Sequence, residues 1–176
     1  MKKAVRTIVI ILLIVSLVQI WLLLRKPSMP AAEASPEAAQ SFDRKLSELV
    51  LASEQGTPGE VRLTEAELNS KIQAYLQESP MPAGAATLKA ATVHMEGDQL
   101  QTLLTVDVKG LELYVTLGGN LSFKDHLVKL VPSKVKVGSH PLPASLLADR
   151  LDLSLEVPEA VSGIRVEDGE LVVETR

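Results

Sequence analysis

The hydrophobic pattern changes character three times along the chain. From Thr7 to Leu24 apolar positions are nearly continuous, TIVIILLIVSLVQIWLLL, with no charge and only Thr7, Ser16 and Gln19 as polar interruptions. Pro27 to Gln40, PSMPAAEASPEAAQ, has no apolar period. From Ser41 to Leu76 apolar residues recur at helical spacing. Beyond Gly84 the period shortens to two.

The first run, coiled as a helix, is about 27 Å long, close to the hydrocarbon thickness of a bilayer. Lys2, Lys3 and Arg6 precede it, Arg25 and Lys26 close it, and Trp21 lies near its outer end, where an amphipathic ring suits the headgroups. A cleaved signal peptide has a shorter apolar core leading into a small-residue site. Here the run ends in Trp-Leu-Leu-Leu-Arg-Lys, and Ala32-Glu33-Ala34 stands well past it. The reading is an uncleaved signal anchor over residues 1–26. The excess of cations before it places the N-terminus in the cytoplasm and the rest outside, on the periplasmic or cell-surface side. Residues 27–40 read as a flexible, solvated tether.

A single domain is expected over 41–176. Ser41 opens a helix carrying Phe42, Leu46, Leu49 and Val50, which stops before Gln55-Gly56-Thr57-Pro58-Gly59. In the next helix Thr64 is the N-cap and Glu67 stands at N3, a capping box, while Leu63 and Leu68 fall where a hydrophobic staple forms. Leu68, Ile72, Tyr75 and Leu76 continue one stripe up to Ser79-Pro80. Strict alternation over Leu100–Val108 and Leu111–Leu117 predicts half-buried antiparallel strands. Further strands are expected near 86–95, 120–124 and 127–137. Hairpin turns are expected at Glu96-Gly97-Asp98, Lys109-Gly110 and Gly118-Gly119-Asn120. Pro143–Leu151 reads as a short helix, and Asp168-Gly169 joins a closing hairpin. The fold class is α+β: one curved, mostly antiparallel sheet packed against or around the two helices.

Charge narrows the partners. Fifteen Lys and Arg against 22 Asp and Glu follow the first run, a balance of −7. Nucleic acid, which needs a basic patch, is a poor fit. Cysteine is absent, which excludes disulfides and thiolate metal sites. His94, His126 and His140 have no metal-ligand spacing, Asp107 reads as a solvated strand charge, and Ser145 lacks a nucleophile elbow. No catalytic residue, metal site or cofactor is expected, and the chain reads as non-enzymatic. The Lys134/Lys136 pair belongs on the wet face of a strand or touches a lipid headgroup. The aliphatic strands fit either a plain core or an interior that accepts acyl chains.

Leu63–Leu76, LTEAELNSKIQAYL, resembles the opening helix of bacterial membrane-anchored envelope proteins of the YpmS type, through Thr64, Glu65, Glu67, Leu68 and Asn69. Val137–Leu151, with Leu142, Pro143, Leu146 and Leu147, is similar to the strand-to-helix passage of YpmS-like and LmeA-like proteins, and IRVEDGELVVE to their closing hairpin. The likeness covers roughly residues 60–175 and includes no catalytic signature. It implies a non-catalytic envelope protein that binds a phospholipid or fatty acyl chain. The walls expected for that ligand are Leu68 and Ile72 on the helix with Leu104, Val106, Leu113 and Val115 on the strands. The alternative is an anchored interaction module, an accessory subunit that meets another envelope protein through a sheet edge or acidic face.

Overall fold

The computed structural model describes residues 2–79, 81–83, 86–144 and 154–176, with side chains from Leu12 onward except at Ala83. Among the described residues three helices are seen: α1 (Lys2–Leu24), α2 (Pro36–Glu54) and α3 (Glu65–Glu78). The strands are β1 (Gly59–Leu63), β2 (Met81–Ala83), β3 (Ala86–Glu96), β4 (Gln99–Val108), β5 (Leu111–Lys124), β6 (Leu127–Val137), β7 (His140–Leu142), β8 (Ser154–Glu156), β9 (Val161–Glu167) and β10 (Glu170–Thr175). The class is α+β, and every described pairing is antiparallel. Among the described residues no helix is long and apolar enough to cross a membrane, so the anchor expected over residues 1–26 rests on the sequence run alone.

The strands form two sheets where one was expected. The larger runs β2-β3-β4-β5-β6-β7, with β8 added on β6; the smaller runs β1-β10-β9. β1 was not anticipated. It is short, but Val61 and Leu63 are buried while Glu60 and Arg62 are exposed, the period of a half-buried strand. It places Leu63 opposite Leu171 and Val61 opposite Val173, on the inner face.

The expected turn at Gly118-Gly119-Asn120 is corrected. β5 runs straight through it, with a bulge between Gly118 and Gly119. A Cβ on Gly119 would stand 2.0 Å from the Val131 carbonyl oxygen, so this glycine serves close backbone approach across the ladder. The turns at Lys109-Gly110 and Asp168-Gly169 do form, with positive φ at both residues of each, as tight hairpins require. The helix expected at Pro143–Leu151 falls mostly on 145–153, outside the described residues.

The tether and helix start are also corrected. α2 begins five residues before Ser41, because Ser35 accepts a hydrogen bond from the Ala38 N–H and Pro36 supplies a ready-made first turn. The chain before it is tied down: the Ala32 N–H donates to Glu65 and the Ser35 N–H to the Ser70 hydroxyl.

The end of α1 is seated on the large sheet. The Ser139 N–H donates to the Leu22 carbonyl at 3.0 Å, and the Gly138 N–H to the Tyr114 carbonyl. Gly138 has φ +57°, and a Cβ there would lie 2.3 to 2.4 Å from the Leu22 and Leu23 carbonyl oxygens. Only glycine fits.

The core has two parts. Leu49, Val61, Leu63 and Val173 pack between α2 and the small sheet. Val93, Met95 and Val166 pack where the sheets and α3 meet. Leu68 and Leu171 touch both.

Candidate functional site

The polar residues of the α3 segment build structure. The Thr64 side chain accepts from the Glu67 N–H, and Glu67 accepts from the Thr64 N–H at 2.8 Å, the expected capping box. Glu67 is buried, and also receives Ser41 Oγ at 2.6 Å and Lys45 Nζ at 2.9 Å. Burial alone would raise its pKa, but donors from Lys45, Ser41 and Thr64 outweigh that and bring it down to about 2.

α3 lies along the outer edge of β3 and covers it. The buried Asn69 amide donates to the Val93 carbonyl and accepts from the Val93 N–H, at 2.9 and 2.7 Å. Glu65 accepts from the Met95 N–H at 2.6 Å. Two helix side chains thus stand in for a neighbouring strand on an edge left open beyond the short β2.

The remaining chemistry-bearing residues are placed as follows. His94 Nδ1 sits 2.8 Å from Glu65. His126 lies in the β5–β6 turn with its ring edge-on to Phe123. His140 begins β7. The Lys89 ammonium at 2.7 Å and the Gly110 N–H hold Asp107 below the usual carboxylate range. Ser145 lies outside the described residues. Among the described residues no three His, Asp or Glu group as metal ligands would.

The feature that stands out is a groove of about 600 Å³ between α2 and the inner face of the small sheet. That is within the span of ordinary ligand sites, about 300–1,000 Å³. Its origin is the α2 stripe. Phe42, Leu46, Leu49, Val50 and Ser53 follow one another at helical spacing, yet only Leu49 is fully buried and Val50 is 50% exposed. Opposite stand Leu63, Leu68, Ile164, Leu171 and Val173, and one side is closed by Leu155, Val157, Pro158, Ala160 and Val161. Leu155 is 67% exposed at the rim. Among the described residues the polar ones on the wall are Ser53, Glu54 and Thr175, and no cation lines it. The Thr175 hydroxyl is buried without a hydrogen-bond partner among the described residues.

Of the six residues expected to form a lipid wall, Leu68 lines this groove. Ile72 lines a smaller hollow of about 360 Å³ with Tyr75, Met81 and Leu88. Leu104, Val106, Leu113 and Val115 come together elsewhere, as the half-buried cross-strand pairs Leu104–Val115 and Val106–Leu113 on one face of the large sheet. None of these four lines the groove. The α2 stripe was legible in the sequence, but the residues facing it, Ile164, Leu171 and Val173, are brought opposite only by the pairing of β1, β10 and β9.

No family model matches the chain, and neither a curated protein nor a solved structure does.

Proposed function

We propose that the protein is a non-catalytic, membrane-anchored envelope protein that takes the acyl chain of a lipid into the groove between α2 and the small sheet. The observation that carries this reading is the groove itself, about 600 Å³ with almost entirely aliphatic walls. Moving a hydrocarbon tail from water into such walls is worth about 0.8 kcal/mol per buried methylene. Among the described residues the wall carries no cation to pair with a phosphate or carboxylate, which favours entry of the tail with an ionised head left in water.

The Thr7–Leu24 run, without charge and of bilayer length, is read as the anchor, its N-terminus cytoplasmic. Leu155 on the groove wall pairs with Val128. That end of β6 is roughly 30 Å along the strand from the seat of α1 at Gly138. A tail held there has left its bilayer, which suits lipid handling. The likeness of the α3 segment to YpmS-type proteins, and of Val137–Leu151 to YpmS-like and LmeA-like proteins, points the same way.

The test is native mass spectrometry of the full-length protein released from mild detergent, with and without prior exposure to phospholipid vesicles. Near-stoichiometric bound lipid is expected, reduced in Val50→Glu and Leu155→Glu. Both positions are exposed on the groove rim, so the fold tolerates the charge. A lipid-free mass throughout contradicts the proposal. Retention of a protein in the groove instead would favour an interaction module that receives an amphipathic helix.

A further inference from the structure

We infer that the β4–β5 hairpin is a second membrane contact, an aliphatic tip that dips into the headgroup–acyl boundary of the bilayer holding α1. This rests on the reading of α1 as a membrane anchor.

The pairing aligns Met81, Leu88, Val106 and Leu113 in one row across four strands, on one face of the large sheet. Val108 and Leu111 form the next row toward the tip. None of the six belongs to either core cluster, and Leu111 is 49% exposed. Tyr75, 57% exposed, joins Met81 and Leu88 around the hollow beside this row. An aliphatic face that is exposed at Met81 and Leu111, half-buried between them and bordered by a tyrosine has the composition of a membrane interface.

Position gives that face its partner. Helix carbonyls point along the axis toward the C-terminal end, so the Leu22 carbonyl meets Ser139 where α1 leaves the bilayer. Val137, just before this seat, pairs with Val115. From there most of β5 and β6 runs one way, toward the Asp125-His126 turn, and carries the bulk of the sheet with it. A folded domain stays out of hydrocarbon, so that bulk faces water. The short remainder of β5, from Tyr114 to Leu111, points the opposite way. It reaches about 10–13 Å past the seat, which on this reading carries the hairpin tip back toward the bilayer. Lys109 at the tip then lies among the headgroups, and the Lys89, Asp107 and Glu112 cluster marks the hydrated face of the same hairpin.

The chain has no cysteine, so single reporters are easily placed. Leu111→Cys, Asp125→Cys and Val15→Cys, each in the full-length protein in phosphatidylcholine vesicles, are spin-labelled. Their collisions with oxygen, which concentrates in lipid, and with a water-soluble nickel chelate are compared. The expected result is a lipid signature at 15, an interfacial signature at 111 with several-fold less chelate contact than at 125, and an aqueous signature at 125. Equal chelate contact at 111 and 125, with 15 still in lipid, overturns the hairpin contact and leaves the anchor standing. An aqueous signature at 15 overturns the anchor, and the hairpin contact with it.

Discussion

Replacing Glu67 with glutamine tests the junction of α2, α3 and β1. The glutamine keeps the size of the side chain and removes its charge. The folded carboxylate accepts from Lys45, from Ser41, and from the N–H and hydroxyl of Thr64. Its pKa moves from 4.5 to about 2. A carboxyl depressed by that much contributes about 3 kcal/mol at pH 7. Because the folded value is the lower one, this stabilisation is complete above pH 4.5 and is lost as pH falls through about 2. Denaturant unfolding of the full-length protein in micelles, followed by the circular dichroism of its sheets, gives the stability of both forms at each pH. The wild type should exceed Glu67→Gln by about 3 kcal/mol at pH 7, with the difference shrinking below pH 4.5 and nearly gone at pH 2. A difference under about 1 kcal/mol at pH 7, the size of an exposed ion pair, or one that does not change with pH, would refute this reasoning.

Other substitutions follow from single contacts. Asn69→Leu leaves the Val93 N–H and carbonyl unpaired beneath α3 and should cost about 2–5 kcal/mol, with faster hydrogen exchange at the Val93 amide; unchanged exchange would contradict the edge-covering role. Gly119→Ala forces a methyl against the Val131 carbonyl and should cost about 3 kcal/mol or more, whereas Gly97→Ala meets no neighbour within 4 Å and should cost about 1–2 kcal/mol from its positive φ alone; the reverse ranking in an unfolding assay would be incompatible with the bulge. Gly138→Ala should unseat the end of α1 and speed tryptic cleavage after Arg25 several-fold, and an unchanged rate would show that the seat does not protect this segment.

Local signals in the sequence were reliable where chemistry is short-ranged. The Thr64/Glu67 box and the Lys109-Gly110 and Asp168-Gly169 turns depend on neighbours a few residues apart and formed as expected; β4 and β5 pair as antiparallel strands, but their burial does not alternate, since Leu103 on the opposite face is the buried residue of β4 and Leu111 is exposed. What failed depended on distant chain. Gly118-Gly119 carries the composition of a turn, but Gly119 answers to Val131 and Pro132 across the ladder. Residues 32–35 have the composition of a linker, and their order comes from Glu65 and Ser70 more than thirty residues away. The groove belongs to the same class. Leu68 was legible as an apolar stripe residue, but its neighbours Val161, Ile164 and Leu171 arrive only when β9 and β10 pair with β1. Leu104, Val106, Leu113 and Val115 show the converse: alternation assigned them one face, but not what that face meets.

Photo-crosslinking with a phospholipid that carries a diazirine in its acyl chain tests the groove most directly. The full-length protein in vesicles is irradiated, digested and mapped by mass spectrometry. Adducts on the α2 segment Phe42–Glu54 and on residues 155–173 are expected, and both should disappear in the Val50→Glu, Leu155→Glu double variant. Adducts confined to α1 and the β4–β5 hairpin, with the groove segments unlabelled, would mean that lipid touches this protein only at the membrane, and the groove would not be a lipid site.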